Sequence, residues 1–176
     1  MYRPREDSFF LSQVLENFFK GKKLKTKKFL DMGSGSGIQA ETLARFTKKE
    51  NITCIDIDPA VIKFLAKKGF KTAYSDLFSN IKSKFDVIIF NPPYLPEHEH
   101  DKILDTTGGK KGDETILRFL VQAKSHLKKD GKIILLISSH TPRKKIFELL
   151  DTGYKYKKIA EKKLFFEKLE IYEISK

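Results

Sequence analysis

The chain has no tryptophan, one cysteine, two methionines and six prolines among its 176 residues. A lone thiol, Cys54, cannot build a disulfide framework, which excludes the stapled scaffolds of small secreted proteins and points to a reducing cytosol. No apolar run is long and unbroken enough to span a bilayer, and the opening residues lack the apolar centre of a secretory signal. A cytoplasmic protein with no membrane role is therefore expected. Internal repeats, low-complexity segments and linkers are missing as well. So is a Cys/His set at zinc spacing: the cluster Glu97-His98-Glu99-His100-Asp101 reads as a polar loop, and no resident metal is expected.

At 40% hydrophobic, a chain of this length can bury roughly 70% of its unfolded surface. One domain over residues 1–176 is expected, with an N-terminal helix and basic connection in 1–27 and a core in 28–176. The net charge is +12 and the pI about 9.6. The lysines scatter over predicted helix faces, loops and the final hairpin without interleaved aromatics. A solvated lysine-rich surface accounts for this better than a nucleic-acid footprint, which stays a secondary reading.

Hydrophobic patterning gives an alternation of elements. An amphipathic run (Phe10, Leu11, Val14, Leu15, Phe18) predicts a first helix capped by Asp7 or Ser8. Strands are predicted at Phe29–Met32, Ile52–Asp56, Lys71–Ser75, Val87–Phe90 and Lys132–Ile137. Helices are expected from Ile38 to about Thr47, from Pro59 with Asp58 as cap, from Asp113 and Glu114 to about Leu127, and from Pro142 to near Gly153. Tyr154–Glu161 and Leu164–Ile174 read as a hairpin around Lys162-Lys163. Strands alternating with helices predict an α/β, mainly parallel, doubly wound seven-stranded sheet, to which the hairpin adds one antiparallel strand.

The most informative segment is Asn91-Pro92-Pro93-Tyr94, directly after an apolar strand. A planar nitrogen, on an amide or on an adenine or cytosine ring, is a poor nucleophile because its lone pair is delocalised. Holding both of its N–H groups with acceptors lets that lone pair localise toward an incoming methyl. The Asn91 oxygen can take one N–H and the Pro92 carbonyl the other, since proline brings an acceptor without a competing donor and stiffens the turn. Tyr94 can stack on the flat group and face a cationic sulfonium.

A second motif lies earlier. Gly33, Gly35 and Gly37 follow a short strand, and Ile38 stands where the dinucleotide fingerprint needs its third glycine. Asp31, just before the turn, suits an ammonium group, as at the methionine end of S-adenosylmethionine. Asp56, ending the second strand, is placed for a ribose diol, with Ile57 beside it. Asp76, after the third, is placed for an adenine amino group, with Leu77 against the ring.

Together these residues resemble a class I S-adenosylmethionine-dependent methyltransferase of the amino-methylating kind, with its Rossmann-like fold. More closely, the opening Tyr2-x-Pro4-x-Glu6-Asp7-Ser8 followed by Phe9-Phe10-Leu11 resembles the archaeal and eukaryotic branch of the HemK-type protein N5-glutamine methyltransferases. Gly108-Gly109-x-x-Gly112 and Arg118-Phe119 are similar to the same branch, while Thr106-Thr107 stands where members often carry tryptophan. The resemblance implies transfer of a methyl group from S-adenosylmethionine to the glutamine of the Gly-Gly-Gln motif in a class I translation release factor. It also implies cofactor contact by Ser8 and a small zinc-binding activator paired with the third strand, Phe70 to Tyr74, where an uncovered edge invites pairing. Two other acceptors stay open: adenine N6 in RNA or DNA, for which few residues remain to grip a strand, and a protein lysine. A catalytically silent binding module is the third class of reading, and it has no need of intact Asn91, Asp31, Asp56 and Asp76.

Overall fold

A computed structural model describes residues 4–93 and 112–176. Tyr2, Tyr94, the Glu97–Asp101 cluster and Gly108-Gly109 lie outside the described residues. The elements are α1 (Glu6–Phe19), β1 (Phe29–Met32), α2 (Ile38–Leu43), β2 (Ile52–Asp56), α3 (Pro59–Lys67) and β3 (Lys71–Tyr74). They continue through β4 (Phe85–Phe90), α4 (Glu114–His126), β5 (Leu127–Ser138), α5 (Lys144–Gly153), β6 (Lys155–Lys163) and β7 (Lys168–Ser175).

Seven strands form one sheet in the order β3-β2-β1-β4-β5-β7-β6. The first five pair in parallel, and β7 runs antiparallel to both its neighbours. The chain builds outward from β1 to β3, then returns to place β4 on the other side of β1. That reversal opens a crevice beyond the carboxyl ends of β1 and β4, the usual ligand position in such sheets.

Alternation along the strands divides the core between two faces. On β4, Val87 and Ile89 join the cluster with Leu11 and Leu15 of α1, Leu43 of α2 and Leu65 of α3. Ile88 and Phe90 join the opposite cluster with Phe119 of α4 and Ile146 of α5. Both faces of the central strands are covered, so their sequences read as unbroken apolar runs.

Several expected boundaries move. The first helix begins at Glu6 with Arg5 as N-cap, and neither Asp7 nor Ser8 caps it; both are buried within the first turn and engaged elsewhere. The second helix stops at Leu43 rather than Thr47, with Thr42 Oγ1 donating back to the Ile38 carbonyl at 2.8 Å, a bond that competes with helix continuation. Strand β5 starts at Leu127, which pairs with Phe85; the register then shifts so that Lys132 pairs with Val87, and in that irregularity a Cβ on Gly131 would sit 2.9 Å from the Phe85 carbonyl oxygen. Pro142 precedes the cap Arg143 of α5 instead of opening the helix. The hairpin turns over 164–167, closed by Leu164 N–H donating to the Glu167 carbonyl at 2.7 Å, and not at Lys162-Lys163.

Candidate active site

Strand β1 delivers Asp31 to the crevice almost fully buried. The turn after it holds Gly33, Gly35 and Gly37 at φ of 61°, 49° and 81°, which glycine adopts without steric penalty. Gly37 is needed twice, because any Cβ there would also overlap Leu65 of α3. Asp56 from β2 fastens this turn: its two oxygens accept from Gly35 N–H and Asp58 N–H, each at 2.9 Å. Asp58 caps α3 by accepting from Ala60 N–H at 2.8 Å, as expected. Asp56 keeps lone pairs for a further donor, since a carboxylate offers about four acceptor positions.

Asp31 Oδ2 is buried and has no hydrogen-bond partner among the described residues. Burial pushes its carboxyl up to about 7; the nearby Asp56 charge adds to the rise, while the Ala40 backbone N–H and Ser34 hydroxyl oppose it. Leaving a buried acceptor unmet is costly, and an ammonium group removes that cost. Gln39 presents the same situation, donating through Nε2 to the Ser8 carbonyl at 2.9 Å while its buried Oε1 has no partner among the described residues.

At the far side of the crevice stands Asn91, at the end of β4. Its Nδ2 donates to Asp7 Oδ2 at 3.0 Å, with Ser8 Oγ at 3.4 Å. Asp7 Oδ1 accepts from Ser8 N–H at 2.7 Å. A carboxylate only accepts, so it fixes the amide nitrogen on the Asp7 side and the oxygen on the other. Asn91 Oδ1 is buried without a hydrogen-bond partner among the described residues, so it is placed to accept from an N–H of an incoming group. Pro92 is buried beside it.

The adenine side is more open. Ile57 is 44% exposed and available to cover a flat ring. Leu77 is buried and is the one non-glycine described residue at positive φ, 49°. Asp76 is paired with Arg118 Nη2 at 2.6 Å, both side chains more than half exposed. Such a surface pair is weak, and one Asp76 oxygen can still accept from an amino group.

Thus Ser8, Asp31, Gly33, Gly35, Gly37, Asp56 and Asn91 converge through contacts at the crevice, with Ile57, Asp76 and Leu77 in the segments following β2 and β3. In the sequence Asp7 stands as a candidate helix cap and as part of the opening family motif, and Gln39 is not singled out. The available signal for Gln39 was a polar residue one position into a helix that follows a glycine turn.

This donor and acceptor set fits a cofactor that carries an ammonium, a ribose and an amino-purine. The chain matches the methyltransferase small domain family over residues 8–167. It belongs to that family. The methyltransferase is 38% identical, over 97% of its own length and 89% of the relative's, to a protein of Methanocaldococcus jannaschii that carries the provisional name protein N5-glutamine methyltransferase. It matches a chain of the E. cuniculi Mtq2–Trm112 complex, responsible for methylation of the eRF1 translation termination factor, with a TM-score of 0.78 and 28% identity. That match covers 99% of this chain and 98% of the other. It is also 30% identical, over 75% of its length, to ribosomal RNA small subunit methyltransferase C of Haemophilus influenzae, of which it spans 37%. The enzyme is a methyltransferase of the HemK type with the class I fold, and it uses S-adenosylmethionine.

Proposed function

We propose that this methyltransferase modifies the side-chain amide nitrogen of the glutamine in the Gly-Gly-Gln motif of a class I translation release factor. The observation that carries the reading is the buried Asn91 Oδ1, unpartnered among the described residues and held in place through Nδ2 by Asp7. Asn91 Oδ1 and the Pro92 carbonyl accept the two N–H groups of the amide, which localises its lone pair for attack. When bound, S-adenosylmethionine supplies an electrophilic methyl group on a sulfonium. Asp31 and Gln39 would hold its ammonium end, Ser8 would help to seat it, Asp56 would take the ribose hydroxyls, and Asp76, Ile57 and Leu77 would hold the adenine. The amide nitrogen that gains the methyl gives up one proton to solvent. Positioning and exclusion of water account for most of the rate.

The domain works as a single unit in the cytoplasm, with a small zinc-binding activator paired along β3. In support, β3 is an edge of the sheet, Tyr74 on it is 56% exposed, and an open edge is a template for strand addition. The E. cuniculi relative was likewise found in complex with Trm112.

The test is transfer of radiolabelled methyl to the organism's release factor and to its total RNA, with and without the activator. Products are digested separately with protease and nuclease. Protease-sensitive label that disappears with a Gln→Ala release factor supports the reading. Nuclease-sensitive label overturns it in favour of a nucleobase such as adenine, which the same Asn91 geometry serves; the ribosomal RNA relative lends weight to an RNA acceptor.

A further inference from the structure

The turn between β6 and β7 ends in Phe165 and Phe166, which are 92% and 83% exposed. Their rings meet edge to face with centroids 4.5 Å apart. Single exposed apolar side chains are ordinary, but this is a contacting pair, and its base is braced. Ser139 N–H donates to the Lys168 carbonyl at 2.8 Å, and Lys168 N–H donates to Ser139 Oγ at 2.9 Å. Ser138 Oγ donates to Glu167. Leu164 packs into the apolar cluster that contains α1. On the other arm, Lys162 is ion-paired with Glu6, the neighbour of the Asp7 that holds Asn91. The two rings are therefore fixed at the rim of the site, on the β5–β7 side of Asn91 and at the sheet edge opposite β3.

Four occupants can be weighed. An activator on β3 sits at the other edge. A second copy is a poor fit: two phenylalanines supply roughly 150–250 Å² each, far less than the ~1,200–2,000 Å² of a stable dimer. Nucleic acid wants parallel aromatic faces and free cations. Here the edge of one ring covers the face of the other, and most flanking lysines are met within the chain: Lys158 by Glu161 and Glu170, Lys162 by Glu6, Lys168 by Glu170, while Lys163 stays exposed. A small apolar knob with largely paired surroundings suits transient insertion into a protein surface, as an enzyme needs for a partner it must release.

We propose that Phe165 and Phe166 dock the methyl-accepting protein, entering an apolar recess on its surface while the target glutamine reaches Asn91; this rests on the protein-acceptor reading above. The experiment compares wild type with a Phe165→Ser/Phe166→Ser double variant, using intact release factor, a short Gly-Gly-Gln peptide and total RNA as acceptors. Val121→Ser, an exposed apolar position on α4, is the control. The double variant is expected to raise KM for the intact factor by about tenfold, as loss of a central aromatic anchor does. Its kcat, its Kd for S-adenosylmethionine and its peptide kinetics stay at wild-type values. An unchanged KM overturns the proposal. So does equal loss on the peptide, which places the damage in the site, or an equal effect of Val121→Ser. RNA label that the double variant loses assigns the knob to nucleic acid and also overturns it. A wild-type enzyme that leaves the release factor unlabelled sinks the acceptor reading itself, a result seen without any variant.

Discussion

The Asp7 carboxylate holds the Asn91 side chain by its nitrogen at 3.0 Å and leaves the Asn91 oxygen without a partner among the described residues. Residues 84 positions apart thus decide which end of an amide faces the reacting group. Asp7→Ala frees the amide to rotate, and kcat is expected to fall about 10²-fold, the order seen when a reacting contact is misplaced by an ångström. Kd for S-adenosylmethionine should stay near wild type, and Asp7→Asn should recover part of kcat, since its oxygen still accepts. Single-turnover methylation beside equilibrium binding separates the two quantities; a loss confined to Kd would contradict the positioning role.

Gln39→Leu removes a buried acceptor that has no partner among the described residues. Its expected signature is weaker binding of S-adenosylmethionine by about tenfold, the scale of a hydrogen bond to a charged group. The melting temperature without cofactor should change little, because the lost Ser8 contact is offset by loss of the unmet oxygen. Calorimetric titration and melting on the same preparation check both halves.

Burial lifts the Asp31 carboxyl to about 7 in the folded chain, against the usual range near 4 when unfolded. Between those values the folded state binds more protons than the unfolded one, so stability falls as pH rises from about 4 to about 7. An ammonium prefers the ionised carboxylate, so cofactor affinity should rise over the upper part of that window, with a proton released on binding. Titrations near pH 6 in buffers of different ionisation enthalpy measure that proton, and Asp31→Asn should abolish the dependence.

Tyr74→Glu places a charge on the exposed β3 edge and should break co-purification with the activator while leaving the melting temperature of the isolated chain within a few degrees. Size-exclusion chromatography of co-expressed subunits reads the first, and a melt the second. Retention of the pair would move the interface away from β3.

Much of this was readable from the sequence because its signals are local. Strand-ending acids at Asp31 and Asp56, the glycine turn, the Asp58-Pro59 helix start and the Asn91-Pro92 exit from β4 each declare themselves within a few residues. The parallel sheet followed from alternation alone. What stayed hidden depends on distant partners. Asp7 looks like a helix cap in isolation, and only the arrival of Asn91 redirects it. Arg118 carries no sign of its pairing with Asp76, 42 positions away. Gln39 becomes notable only once its oxygen is seen to be enclosed and unmet. Strand β5 extends past its apolar run through a register shift against β4 between Leu127 and Lys132, where Gly131 allows close approach to the Phe85 carbonyl, which hydrophobicity does not encode.

Cys54 lies in β2 between β1 and β3, fully enclosed, and its thiol is pushed well above the ordinary range, chiefly by burial and further by the Asp31 charge. A thiol held protonated and out of reach does not react. The wild-type chain is therefore already a silent background for thiol-specific dyes and spin labels. A single cysteine introduced at the Phe166 tip or on the β3 edge can report on either surface without first rebuilding the core.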